Sequence, residues 1–403
     1  MTTVSPLDVP LVDYNDPTLV GDRFHEVLGK LARETWLART DLGFLVLDRA
    51  ASIEFLRDRR LSFPALELLL VQGITDGPVY ERTEHGLMTK SGPPHLRLRK
   101  LVAPAMSPRS IGTLRERLRA DIEQRWEKVA PDGRTEFVHD FAHPIPSVLI
   151  AELLGVPGLD EQLAQWSITL QAVFKLNMEE DRADIERSYE EVRQWVLDLL
   201  EERRANPGED FISTVGTIEV DGDRLTDDEC VTLVSSVISG GTDTTQAQMA
   251  HGIRLFVEHP DQWAALGENP DLAMQAANEV IRYEPITPFT ARIVREEVEY
   301  RDVAFPPGTL LFACAATANR DPAAFENPEV FDISIDRGRT PVLTFGFGDH
   351  FCLGAQLARM ELAETYRFLA PRMRNLRLDG ELEFGDIKGI YAMESVPVAF
   401  DPA

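Results

Sequence analysis

Cys352 stands in the stretch Phe345-Gly346-Phe347-Gly348-Asp349-His350-Phe351-Cys352-Leu353-Gly354. Three glycines so close together make a poor helix interior and predict a loop, because glycine loses the most backbone freedom on ordering. From Ala355 onward Ala358, Leu362, Tyr366 and Leu369 recur at helical spacing, which places Cys352 just ahead of a helix N-terminus. Free N–H groups and the positive end of the helix dipole favour thiolate there, the form that binds a metal or attacks an electrophile. A small buried hydrophobe is the plain alternative for a lone cysteine.

A second constellation is Ser239-Gly240-Gly241-Thr242-Asp243-Thr244-Thr245. It interrupts a helical pattern that begins at Thr226 and resumes to Glu258, so two adjacent glycines predict either a kink or close approach of another group. Asp243 and Thr244 put a carboxylate and a hydroxyl beside that opening, a pair suited to relaying protons. Ser/Thr back-bonding that merely weakens the helix is the alternative. Glu279 and Arg282 lie three apart and share one helix face. His95 and Arg99 lie four apart, and both can donate to an anion. From His95 to Arg119 the chain carries Arg97, Arg99, Lys100, Arg109, Arg115, Arg117 and Arg119 against Glu116 alone. That is either a solvated face or a surface that steers an acidic partner.

The elements that must position these groups are mainly helical. Helical periodicity predicts helices over Asp22 to Arg39, Ser110 to Val129, Val148 to Leu154, Glu161 to Phe174, Asp181 to Arg204, Thr226 to Glu258 and Asp271 to Tyr283. Gly43 to Asp48 and Ala304 to Phe312 read as strands. Phe63 to Pro94 reads as a long loop without clean periodicity, a lid or binding wall. With no fixed repeat, low-complexity tract or long linker, one domain over 1–403 is predicted, mainly α with small β-sheets.

The 403 residues suffice for a large core, and a net charge of −26 argues against nucleic acid or an anionic membrane as partner. Cys230, Cys314 and Cys352 are too few and too scattered for a disulfide or zinc framework, which suits a reducing compartment. Residues 1–20 lack the apolar core of a signal peptide, and no apolar run is long enough to span a bilayer, so a cytoplasmic protein is expected.

In order and spacing, these features resemble the cytochrome P450 family in its soluble bacterial form, from about Gly43 to Phe400. The carriers are the Cys loop, which fits FxxGxxxCxG, the ExxR pair Glu279/Arg282, and the Gly-Gly-x-Asp-Thr-Thr centre of the long helix. The resemblance implies the cytochrome P450 fold, with a long central helix over a haem b (iron protoporphyrin IX). Cys352 is then the axial ligand of the iron, with Phe345, Gly346 and Gly354 around it. It implies propionate contacts from His95, Arg99, Arg292 and His350, and a structural role for Glu279 and Arg282. Gly241 would flank the oxygen site, with Asp243 and Thr244 delivering protons.

The implied reaction is oxidation of a lipophilic small molecule of secondary metabolism by O2 and two electrons. An acidic ferredoxin, itself reduced by an NAD(P)H-fed reductase, would bring them, docking near Arg97, Lys100 and Arg109. The implied pocket draws on Ile74, Val79, Leu87, Phe174, Val237, Ile238, Ile286, Phe289 and Met393. Two departures from the family pattern stand out: Ser91-Gly92-Pro93-Pro94 replaces an Asp-Pro-Pro lead-in, and Ile335 stands where relatives carry an arginine that Arg337 would have to replace. The competing readings are a peroxide-using or non-oxygenating haem-thiolate enzyme and a non-catalytic haem- or ligand-binding protein.

Overall fold

The computed structural model describes residues 2–3, 9–13, 15–174, 180–301, 303–337 and 340–403, with the side chains of Thr2, Thr3 and Phe174 outside the description. The principal helices are α1 (Gly21–Glu34), α2 (Arg49–Arg57), α3 (Gly92–Val102), α4 (Arg115–Val129), α5 (Pro144–Leu154), α6 (Asp160–Gln171), α7 (Arg182–Ala205), α8 (Asp227–Gly241), α9 (Asp243–Glu258), α10 (Ala273–Tyr283) and α11 (Ala355–Leu369). The largest sheet has five strands, β1 (Leu37–Arg39), β2 (Phe44–Val46), β3 (Leu61–Ser62), β4 (Phe289–Val294) and β5 (Leu310–Cys314), in the order β1-β2-β5-β4-β3. β5 runs parallel to β2 and antiparallel to β4, and this register sets Arg292 opposite Leu311.

Capping chemistry explains where several helices begin. Thr226 closes a capping box with Glu229 at the head of α8, and Asp48 accepts from the Ala51 N–H at the head of α2. The central helix then breaks at Thr242, which sits at φ −93°, ψ −71° between α8 and α9. Either side of that break, Ile238, Met249, Ile253 and Phe256 join one apolar cluster whose members run from Leu98 to Phe400.

The structure corrects four local expectations. The predicted helix from Asp22 to Arg39 stops at Glu34, because Thr35 turns extended at φ −150° and Leu37–Arg39 pairs with Phe44–Val46. The segment from Ala304 to Phe312 holds two strands, Val303–Phe305 and β5, parted by a turn at Gly308 with φ 90°. The helix predicted from Ser110 is two helices, Pro108–Thr113 and α4. The supposed loop from Phe63 to Pro94 contains Ala65–Leu70 and Pro78–His85 as short helices, the second started by Pro78 at its first turn.

The start of α1 meets the segment around Tyr391. The Gly21 N–H donates to the Tyr391 hydroxyl at 2.7 Å, and strand Pro397–Pro402 pairs with both Arg134–Glu136 and Met373–Leu378. Beside that contact, Glu284 joins His25 of α1 at 2.9 Å to Arg254 of α9 at 2.6 Å, all deeply buried.

Candidate functional site

The Cys352 loop is closed by its own backbone: the Cys352 N–H donates to the Phe345 carbonyl at 2.9 Å. Gly346 and Gly348 take φ +69° and +74°, a region that strains any residue with a Cβ, and a Cβ on Gly348 would stand 3.1 Å from the Leu56 carbonyl oxygen. Cys352 is solvent-accessible although protein surrounds it densely, which is the condition of a side chain lining an interior recess. Cys230 and Cys314 are fully buried, and burial pushes the Cys230 thiol up to about 12 and raises that of Cys314.

The sequence predicts a lowered thiol pKa at Cys352; the protein alone raises it instead. Burial is the larger effect, and the Gly354 and Ala355 N–H groups with the Arg99 and Arg359 guanidiniums only partly oppose it. Those opposing groups are nonetheless donors and positive charges arranged around a sulfur, which suits thiolate once a metal supplies the remaining charge. Arg359 also lies over the Phe345 ring, 4.6 Å from its centroid.

The expected anion contacts divide. Arg292 is buried, burial lowers its pKa to about 10, and among the described residues its side chain bonds only to the Ala291 carbonyl, at 2.9 Å. Arg99 is half-buried, and among the described residues no carboxylate forms an ion pair with it or with Arg292. Burial, with His95, Arg292 and Arg99 adding to it, lowers His350 to about 4. A buried cation needs a counter-charge, so Arg99 and Arg292 fit the carboxylates of a porphyrin. His95, also implied as an anion contact, meets the Leu87 and Asp349 carbonyls through its ring nitrogens at 2.9 Å each and packs on His350 with centroids 4.0 Å apart, which ties α3 to the Cys loop.

On the central helix an accessible stripe runs through Ser236, Gly240 and Thr244, one turn apart. The Thr244 hydroxyl donates to the Gly240 carbonyl at 2.8 Å. A Cβ on Gly240 would meet nothing within 4 Å, whereas a Cβ on Gly241 would meet Ile150 Cδ1 at 2.5 Å. The glycine that opens onto the recess is therefore Gly240; Gly241 is where α8 packs on α5. Burial raises the Asp243 carboxyl to about 6, against the opposing pull of His143 and Thr242.

Glu279 and Arg282 are wholly buried and joined by two bonds of 2.7 and 2.8 Å. Arg337 adds bonds of 2.8 and 3.0 Å to the same carboxylate, so it does replace the arginine absent at Ile335. Burial alone would raise the Glu279 pKa; the two guanidiniums outweigh it and hold it low.

The predicted pocket residues part company. Ile74 and Val79 are buried in a roof cluster with Ala172, Val173 and Ile185. Ile238 and Met393 belong to the main core, and Ile286 is nearly as buried. Leu87, Val237 and Phe289 keep accessible surface, while the side chain of Phe174 lies outside the described residues. Of the predicted docking cations, Arg97 bonds Asp223 and Glu229 at 2.6 Å each and Lys100 bonds Asp221 at 2.5 Å, all on or beside the hairpin Glu219–Val220/Asp223–Arg224. Arg109 is exposed and, among the described residues, makes no ion pair; Arg117 is alike.

Sequence reasoning missed Gln171 and Ser167 on α6. Gln171 Nε2 donates to the Ser239 carbonyl at 2.8 Å and also to the Asp243 carboxylate, and Thr242 Oγ1 donates to Ser167 Oγ. No local pattern links residues so far apart in the chain.

Residues 78–369 match the family described as Cytochrome P450. Luteothin monooxygenase of Streptomyces thioluteus is 35% identical over 405 residues, covering 100% of this chain and 98% of the relative. The crystal structure of CalO2 superposes with a TM-score of 0.89 at 26% identity, covering 98% of this chain and 100% of that one. The structure of P450BioI in complex with an acyl carrier protein ligated to hexadec-9Z-enoic acid gives 0.84 at 27% identity, covering 94% and 99%. No helix among the described residues is long and apolar enough to cross a membrane.

Proposed function

The chain belongs to the cytochrome P450 family of haem-thiolate monooxygenases, and from that premise we propose that it inserts one oxygen atom of O2 into a lipophilic small molecule of secondary metabolism. In balanced form the substrate, O2, two electrons and two protons give the oxidised product and water. The electrons come from an acidic ferredoxin and its NAD(P)H-fed reductase, and the protein works as a single domain in the cytoplasm. In support, the similar proteins include the luteothin monooxygenase and a polyketide biosynthesis cytochrome P450.

The single observation that carries this reading is the accessible Cys352 sulfur beside a helix N-terminus, with no carboxylate among the described residues ion-paired to Arg99 or Arg292. That donor set fits haem b, whose iron would take Cys352 Sγ and whose propionates would meet Arg99, Arg292 and His350. When bound, the haem supplies the oxygen chemistry, driven by the thiolate's electron donation. The chain's own residues hold and exclude. The Gly354 N–H at the sulfur tempers its charge, and the roof cluster of Ile74, Val79 and Ile185 keeps bulk water out. Leu87, Val237 and Phe289 offer an apolar wall that selects by shape. The Asp243 carboxylate accepts a proton from solvent and Thr244 Oγ1 passes one inward, each anchored as described above.

The test is spectroscopic. Purified protein, reduced under carbon monoxide, is expected to show the strongly red-shifted Soret band of thiolate ligation; Cys352→Ser abolishes it, and Cys230→Ser or Cys314→Ser does not. A normal band in Cys352→Ser would overturn the assignment.

A further inference from the structure

Asp243 and Thr244 are neighbours in sequence, yet their side chains are held apart. Thr244 Oγ1 is turned to the Gly240 carbonyl on the accessible stripe. Asp243 is turned to α6, where Gln171 Nε2 donates to its carboxylate and to the Ser239 carbonyl. Both partners are acceptors, so the amide must present its NH2 to them, and its orientation is fixed by that demand. One turn earlier on α6, Ser167 takes the Thr242 hydroxyl, so α6 grips the break in the central helix at two points.

We propose that Gln171 is the positioning residue of Asp243: it holds the carboxyl group out of line with Thr244 and so lets α6 set when the proton moves on. The proposal rests on the reading of Asp243 as proton carrier. A neutral amide suits the task, because a carboxyl group accepts its N–H in either state and more strongly when ionised, so the grip biases the charge without locking it. A cation in the same place would lock the carboxylate ionised. Among the described residues the titratable group facing Asp243 is His143, just before α5, whose ring donates to Gln246 Oε1 at 3.0 Å; α6 contributes only neutral Ser167 and Gln171.

The experiment uses the haem-loaded protein with Gln171→Met, which keeps the length and loses the donor, and Gln171→Lys, which adds charge. Two readouts are taken across pH 5 to 8. One is the infrared carboxyl stretch that disappears in Asp243→Asn, which titrates this group directly. The other is the share of NADPH electrons recovered as hydrogen peroxide rather than water, with a plant-type ferredoxin and reductase and no added substrate. The carboxyl midpoint is expected to rise by about one unit in Gln171→Met and fall by about one unit or more in Gln171→Lys. The peroxide share is expected to change its pH profile in parallel. If both variants fold and leave the midpoint and the profile as in the parent, the proposal is overturned. If Asp243→Asn leaves the peroxide share unchanged while the Gln171 variants still move the carboxyl midpoint, Gln171 positions Asp243 but the proton-carrier reading falls.

Discussion

Asp243, the proposed proton carrier, costs the fold stability at neutral pH. Its pKa, raised to about 6 by burial, lies above that of an unfolded aspartate, so the native state holds its proton more firmly through the window from pH 4 to 6. Stability from this group is therefore present in acid and lost as pH rises through 6, leaving a poorly solvated charge at neutrality. Asp243→Asn is expected to raise stability by about 1–3 kcal/mol at pH 8 and by much less at pH 5. Denaturant melts at the two pH values check this; an equal gain at both would refute the sign. Legibility at this scale follows distance along the chain. The Glu279/Arg282 pair is readable because three residues on a helix already place the groups together. Arg337, 58 residues on from Glu279, joins them only through the fold, and Gln171 and Asp243, 72 apart, give no signal at all before α6 is laid on the central helix.

At the scale of elements, the break at Thr242 divides two jobs that the paired glycines left undivided. Gly240 leaves the recess open, and Gly241 lets α8 sit on Ile150 of α5. Gly241→Ala is expected to cost about 1–3 kcal/mol through overpacking, despite alanine's better helix propensity. Ile150→Val removes the methyl that clashes, so the double variant should recover part of that loss, a coupling that a double-mutant cycle of melts would measure. Additive losses would show that the two positions do not press on one another. Helical periodicity found the long helices because their apolar stripes are strong, but it ran past Thr35 into a strand. There the sheet partner Phe44–Val46 decides the outcome, which periodicity cannot register. The segment from Phe63 to Pro94 failed for the opposite reason: helices of six and eight residues are too short to display a period.

For the molecule as a whole, charge is unevenly shared. A net −26 repels an acidic protein at long range, and much of the basic window is spent internally, since Arg97, Lys100, Arg115 and Arg119 all meet carboxylates of this chain. Arg109 and Arg117 remain exposed, and they are the cations a donor would meet under the proposed function. Reversing both to glutamate is expected to slow the first electron transfer from an acidic ferredoxin about tenfold at low salt and to weaken its salt dependence. Arg97→Gln should change that rate much less and act on the hairpin it holds; the reverse ranking in stopped-flow reduction would move the docking face to α3. The chain's charge excess and lack of repeats were plain from composition, whereas which cations stay free depended on folding. One consequence concerns time. Because the Gly21 amide pairs with the Tyr391 hydroxyl and strand Pro397–Pro402 pairs with Arg134–Glu136, a nascent chain cannot complete the contacts of its first helix or its middle until residues 391 to 400 have left the ribosome. Cys352, the proposed haem ligand, emerges late as well, so haem capture and the closing of these contacts would fall close together in time, and a cell short of haem would hold an open and protease-sensitive protein.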